Sequence, residues 1–299
     1  MSKRGLDALG YIEREGSPGR VQAAFRPVAA AARDRMLDVF GARLHSAYLY
    51  GSIPRGTARV GRSDLDMLLA LREEPTEADR ADARTLDEAL DKEFAQIDGA
   101  GTLLVGRAQV LSDLERHDLG WFVACLCTPL LGEDLAEELP RYRPDPLLAR
   151  ETNGDLALLL PRWRERIAGV TEVAGVTEAA GVTRVTGVTG VTVAGGSEEE
   201  AALRPLVRYM SRHLVRTGFT LVMPLWNGWT SDLAEMAEVF AAYYPERDHP
   251  RRAAQLREAA VLGHEPVGDR AVLRSYADDL GPWLAEEYAR VHGVKKARP

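Results

Sequence analysis

Cysteine is nearly absent from this chain, which has two in 299 residues, Cys125 and Cys127. They stand two apart in an apolar stretch, which excludes a Cys-x-x-Cys motif and a disulfide framework and leaves buried free thiols. Long apolar runs are also missing. No stretch is long enough to span a membrane, and the opening residues, Met-Ser-Lys-Arg-Gly-Leu-Asp, lack the apolar segment of a signal peptide. A soluble, cytoplasmic protein is the expectation. Basic charge is not in excess either, since 38 Lys and Arg against 45 Asp and Glu give a net charge of −7. A nucleic-acid polymerase needs a basic track for the phosphate backbone, so this balance counts against one and against a nucleic-acid partner. The six histidines show no spacing that builds a zinc site; His117, His213 and His264 read as surface or core residues.

What the chain does have is a hydrophobic share of 45%, enough for a real core, and a length that accommodates two domains. Its organising stretch runs from Tyr48 to Leu71. Ala47, Leu49 and Tyr50 form a short apolar run that stops at Gly51-Ser52. Ser52 suits the N-cap of a following helix, and Pro54 suits that helix's first turn, where a missing N–H costs nothing. Exposed N–H groups at such a corner attract anions, and Gly51 lets a phosphate come close to the backbone. Asp64-Leu65-Asp66 then opens a second apolar run, Met67 to Leu71. Strand alternation sends Asp64 and Asp66 to one face and turns Leu65 into the core. Two carboxylates on one face repel unless a cation lies between them, and hard oxygen donors of this kind suit Mg²⁺ shared with substrate phosphates. An ordinary strand-helix-strand unit with a solvated acidic edge is the alternative.

Taken in order, Gly51-Ser52, Arg55-Gly56 and Ser63-Asp64-Leu65-Asp66 resemble the signature of the nucleotidyltransferase superfamily that includes DNA polymerase beta. The form is most similar to its small-molecule branch, the aminoglycoside and minimal nucleotidyltransferases. The close match covers this segment; beyond it the resemblance is one of layout. It implies an α+β fold, with a catalytic domain on a mixed β-sheet followed by an α-helical bundle. It also implies attack of an acceptor hydroxyl on the α-phosphate of ATP or another nucleoside triphosphate, with pyrophosphate leaving. Asp64 and Asp66 would then hold Mg²⁺, and Gly51 and Ser52 would bind the β and γ phosphates. Arg55 would neutralise a phosphate, or is a solvated surface arginine. Ser63 would join the nucleotide site, or only caps its turn. A third carboxylate facing the pair from a neighbouring strand is implied too. The nearest acid is Asp98, in Ile97-Asp98-Gly99, which reads equally as metal ligand and base or as a turn residue. The acceptor implied is an aminoglycoside-like small molecule or a protein. A non-catalytic nucleotide-binding regulator, or an antitoxin-like protein on the same fold, is the alternative.

The rest of the chain falls into place around this segment. Residues 1–20 are polar and Gly-containing and read as a flexible lead-in. The catalytic domain is expected over 21–145 and the helical domain over 146–299, with a low-complexity insertion at 169–197. Val21 to Phe40 carries Phe25, Val28, Ala32, Met36 and Phe40 on one helical stripe. A second helix spans Glu73 to Glu93 and ends near Phe94, and Thr102 to Val105 reads as a strand. Ser112 with Glu115 forms a capping-box pattern for a helix over 112–119. The six-residue repeats from Gly169 fit a hexapeptide β-helix or, more simply, a replaceable insertion. Beyond it, Gly218 is expected to stop a helix that carries Leu203, Leu206, Val207, Met210 and Leu214. Trp226 and Trp229 either line an acceptor pocket or pack the bundle.

Overall fold

The computed structural model describes residues 4–169, 174–179, 182–187, 196–244 and 249–295. These fall into two compact units, one of residues 12–142, the other of the N-terminal residues up to 11 together with those from 143 onward. The first unit is α+β. Its four strands are β1 (Leu44–Tyr50), β2 (Leu65–Leu71), β3 (Ala100–Gly106) and β4 (Thr128–Gly132). They lie in the order β3-β2-β1-β4, with β2 and β3 parallel and the other pairs antiparallel, so the sheet is mixed.

Alternation along the strands decides what covers each face. Leu65, Met67, Leu69 and Leu71 of β2, with Ala47 and Leu49 of β1, pack into the core. They meet Phe25, just ahead of helix α1 (Arg26–Phe40), the stripe Val28, Ala32, Met36 and Phe40 of that helix, and Ala83, Leu86 and Leu90 of helix α3 (Glu77–Glu93). The opposite face carries Tyr48, Tyr50, Leu68 and Ala70. Tyr50 meets Phe122 edge-on at 5.0 Å between ring centroids. Burial pushes the Tyr48 hydroxyl up to about 12, so it stays protonated, and its oxygen accepts the Leu135 N–H at 2.8 Å. Cys125 and Cys127 are buried free thiols, and burial pushes both well above the ordinary thiol range, which keeps them from acting as nucleophiles.

Helix α3 begins later than its charged composition implies, because Thr76 caps it. The Thr76 hydroxyl accepts the Asp79 N–H at 3.2 Å, and the Asp79 carboxylate accepts the Thr76 N–H at 2.8 Å. Asp79 is buried and also pairs with Arg43. The Thr76 hydroxyl bond, aided by the Thr76 N–H and Arg43, holds the Asp79 carboxyl below its ordinary value against the opposing effect of burial. A carboxyl lowered by folding contributes stability that is full above its unfolded pKa of about 3.9 and is lost as pH falls toward the folded value. Thr76→Ala is expected to cost about 1 kcal/mol near neutrality. Urea unfolding of both proteins between neutral pH and about pH 3 should show that difference shrinking on the acid side; a difference independent of pH would contradict this account of the cap.

The same helix guards the edge of the sheet. Strand β3 is an edge, and its outward N–H groups need partners. Asp87 accepts the Thr102 N–H at 3.0 Å as well as the Thr102 hydroxyl. Asp91, one turn further along α3, accepts the Ala100 N–H.

Several expectations change here. The strand expected over Thr102 to Val105 is longer and takes in its flanking glycines. Residues 112–118 form turns rather than a helix, and Ser112 donates to the Gln109 carbonyl at 2.8 Å. The apolar stretch from Trp121 holds a π-helical turn, Phe122–Leu126, and then β4.

The second unit is helical, with helices Pro146–Asn153, Leu156–Ala168, Gly196–Trp226, Leu233–Tyr243, His249–Leu262, Arg270–Ser275 and Gly281–His292. Gly218 does not end its helix. It sits where a Cβ would collide with Leu256, so glycine here serves close helix packing rather than termination. Trp226 and Trp229 are buried and flank Phe219 edge-on at 5.7 and 5.6 Å, so they pack the unit. Within the repeat, Ala174–Ala179 pairs with Val182–Gly187. That pairing is antiparallel, unlike the parallel coils of a β-helix; residues 170–173, 180–181 and 188–195 of the repeat lie outside the described residues. Among the described residues no helix is long and apolar enough to cross a membrane.

Candidate active site

The site forms where β1 ends beside the start of β2. Tyr50 is paired with Asp66, and both chains turn within a residue or two of that pair. Gly51 follows Tyr50 with φ +78° and ψ −151°, a region essentially restricted to glycine. Then comes helix α2 (Ser52–Arg55), a single turn closed by Gly56 in the left-handed region at φ +77°. This corrects the expected cap: Gly51 is the N-cap, Ser52 opens the helix, and no side chain bonds its N-terminus. The reason is Gly51's own backbone: it is the last non-helical residue, so the helix opens at Ser52 itself. Ser52 and Ile53 still occupy the positions whose N–H groups have no partner inside a helix.

Asp66 faces Gly51 directly. A methyl group on Gly51 would collide with the Asp66 carboxylate, so the loop and Asp66 are in contact. Leu65 is fully buried while Asp64 and Asp66 are half-buried, as strand alternation requires. Asp64 lies on the other side, near β3, where a Cβ on Gly99 would be 3.6 Å from its carboxylate. Ser63 is occupied as a turn cap. Its hydroxyl accepts the Arg59 N–H at 2.9 Å, and its own N–H donates to the Arg59 carbonyl at 3.1 Å. Arg55 folds back on its own loop: Nε donates to the Gly51 carbonyl at 2.9 Å, and a terminal nitrogen lies 3.7 Å from Glu15.

Among the described residues no group of three or more His, Cys, Asp or Glu converges as a metal site. Asp98 is exposed at a bend before β3, and its N–H donates to the Ser63 carbonyl at 3.1 Å. The residue beside Asp66 on β3 is Gly101. Sequence reading also passed over Asp91. Its carboxyl keeps solvent contact, yet desolvation and the like charges of Asp64 and Asp98 raise it above its ordinary value, against the bond from Ala100. It stands one helical turn beyond Asp87, a spacing that the polar face of α3 conceals.

The donor set nonetheless fits a divalent cation of one kind. Mg²⁺ keeps several waters and is bound by one or two carboxylates plus substrate phosphates rather than by an all-protein cage. Two half-buried carboxylates beside a glycine corner are such a set.

No protein-family model matches the chain, and no curated protein matches it. Among solved structures it is similar to spectinomycin adenyltransferase AAD(9) from Enterococcus faecialis, crystallised with ATP and spectinomycin. That similarity covers 87% of this chain and 98% of that one, at 12% identity and a TM-score of 0.42. A likeness at that level carries no inference about chemistry.

Proposed function

We propose that this chain is a Mg²⁺-dependent nucleotidyltransferase, which moves a nucleoside monophosphate from ATP or another nucleoside triphosphate to an acceptor hydroxyl. The observation that carries the reading is the packing of the Asp66 carboxylate on Gly51, which supports taking the loop and the acid pair as one site. Asp64 and Asp66 would hold Mg²⁺, which when bound supplies Lewis-acid activation of the hydroxyl and offsets the charge of the departing pyrophosphate. The loop at Gly51, Ser52 and Ile53 offers backbone N–H groups to the β and γ phosphates. The acceptor oxygen forms the new bond to the α-phosphorus as the bond to pyrophosphate breaks, and the hydroxyl proton leaves to solvent water. Positioning and electrostatics carry most phosphoryl chemistry, and the chain's part is to hold the carboxylates and the loop in register. The acceptor is a small molecule of aminoglycoside type or a protein hydroxyl, since the acidic net charge does not favour a nucleic acid.

One observation favours a second reading, a regulator that binds nucleotide without turning it over. Gly101 stands beside Asp66, where a third carboxylate would face the pair. Pyrophosphate release separates the two. The four nucleoside triphosphates are tested with Mg²⁺ against a panel of aminoglycosides, and label transfer from the α-phosphate to protein acceptors is followed in parallel. Release or transfer that stops on adding EDTA is the expected result. Mg²⁺-dependent nucleotide binding with neither would favour the regulator, and no binding at all would overturn both.

A further inference from the structure

The loop at Gly51 is gripped from behind by the segment that precedes α1. Ser17 N–H donates to the Pro54 carbonyl at 3.0 Å, and the Gln22 side-chain amide donates to the Gly56 carbonyl at 2.7 Å. Arg20 packs so close that a Cβ on Gly56 would lie 2.9 Å from its carbonyl oxygen. Within these backbone contacts sits the pair of charges formed by Glu15 and Arg55. The Glu15 side chain is only 16% exposed, and its backbone is anchored separately by an N–H bond to the Cys125 carbonyl at 3.0 Å. Arg55 reaches Glu15 on one side and the Gly51 carbonyl on the other.

We infer that Glu15 and Arg55 are positioning residues of the site. Glu15 aims Arg55, Arg55 holds the Gly51 carbonyl, and that peptide fixes the conformation in which Gly51 receives the Asp66 carboxylate. The inference rests on the reading of Asp64 and Asp66 as ligands of a divalent cation. It moves Arg55 from the phosphate, where the sequence places it, to the frame of the metal site. Its Nε is engaged by the backbone of its own loop.

The two roles of Arg55 predict opposite signs for a cation bound without nucleotide. A phosphate-binding arginine contributes only repulsion to that cation, so its loss should tighten binding. Loss of a positioning residue should weaken binding, typically by about tenfold or more. The experiment is Mn²⁺ binding to the nucleotide-free full chain, read from the electron paramagnetic resonance signal of free Mn²⁺. The proteins are the parent, Arg55→Gln, Arg55→Lys, Glu15→Gln and the double variant Glu15→Gln/Arg55→Gln, each with its melting temperature.

Both Arg55 variants are expected to bind Mn²⁺ about tenfold more weakly than the parent. Glu15→Gln should weaken it as well, and the double variant should match Arg55→Gln, because Glu15 acts through Arg55. Arg55→Lys keeps the charge and serves if the glutamine variant fails to fold. Binding by a folded Arg55 variant as tight as the parent's, or tighter, overturns the inference, as does full additivity in the double variant. A parent that binds Mn²⁺ only with a non-hydrolysable nucleoside triphosphate present overturns the inference, which needs a cation site framed by the chain alone; a parent that binds it in neither state overturns the reading of the aspartate pair itself.

Discussion

Asp66→Asn, and likewise Asp64→Asn, should abolish Mg²⁺-dependent pyrophosphate release while the fold persists. Asparagine keeps the size of the side chain and so keeps the contact with Gly51, but it removes the charge that a hard cation needs. A metal clamp at a phosphoryl centre is worth several kcal/mol of transition-state stabilisation. At about 1.4 kcal/mol per tenfold, turnover should fall by roughly 10³ or more. The metal-free protein should lose no stability. Asp64 adds to the negative charge that raises Asp91, together with Asp98 and Glu88, so Asp64→Asn relieves repulsion and should leave the metal-free melting temperature unchanged or higher. Retained turnover in the double variant Asp64→Asn/Asp66→Asn would end the nucleotidyltransferase reading.

Gly51→Ala is the second large effect, and it acts on stability and chemistry together. At φ +78° and ψ −151° alanine is strained whatever its surroundings, at a cost of about 1–3 kcal/mol. The surroundings add to this, because the new methyl group collides with the Asp66 carboxylate. Either the peptide turns over, which displaces the Ser52 and Ile53 N–H groups, or Asp66 moves out of line with Asp64. A drop in melting temperature of several degrees is expected, together with a loss of turnover comparable to that of Asp66→Asn. A Gly51→Ala protein with the parent's melting temperature and activity would show that the close approach of loop and carboxylate is unimportant. Gly61→Ala is the natural control, since Gly61 also has positive φ, at +68°, but a Cβ there meets nothing within 4 Å.

Much of this site is legible in the sequence because it obeys short-range rules. The stop at Gly51, the alternation of Asp64, Leu65 and Asp66, and the apolar stripe of α1 each follow from backbone geometry over a few residues. The exact cap differs for a local reason as well: Gly51 holds the last non-helical backbone, so Ser52 falls inside the helix. Longer-range features left no such trace. Residues 12–20 look like a flexible lead-in because they are polar and glycine-rich. They are nevertheless held, through backbone groups such as the Ser17 N–H and by close approach at Gly16, where a Cβ would collide with Thr128. Backbone bonds carry no side-chain signature, so Glu15 could not be recognised as a neighbour of Arg55. Residues 4–11 belong with the helical unit, where the Trp229 N–H donates to the Arg4 carbonyl at 2.8 Å. The apolar-acid order at Asp98 fits a strand, whereas Asp98 lies at a bend before β3 and the register sets Gly101 beside Asp66. Gly218 misled because a glycine that ends a helix and one that admits a neighbouring helix look alike in sequence.

The central claim is that the Gly51 loop and the aspartate pair form one Mg²⁺–nucleotide site, and calorimetric titration of the full chain tests it most directly. Each of the four nucleoside triphosphates is titrated with excess Mg²⁺, then with EDTA, and then into Asp66→Asn. The account predicts saturable binding of at least one nucleotide with Mg²⁺, lost in EDTA and lost in the variant. Nucleotide binding that ignores both the metal and Asp66, or no binding of any nucleotide with Mg²⁺ present, would contradict it.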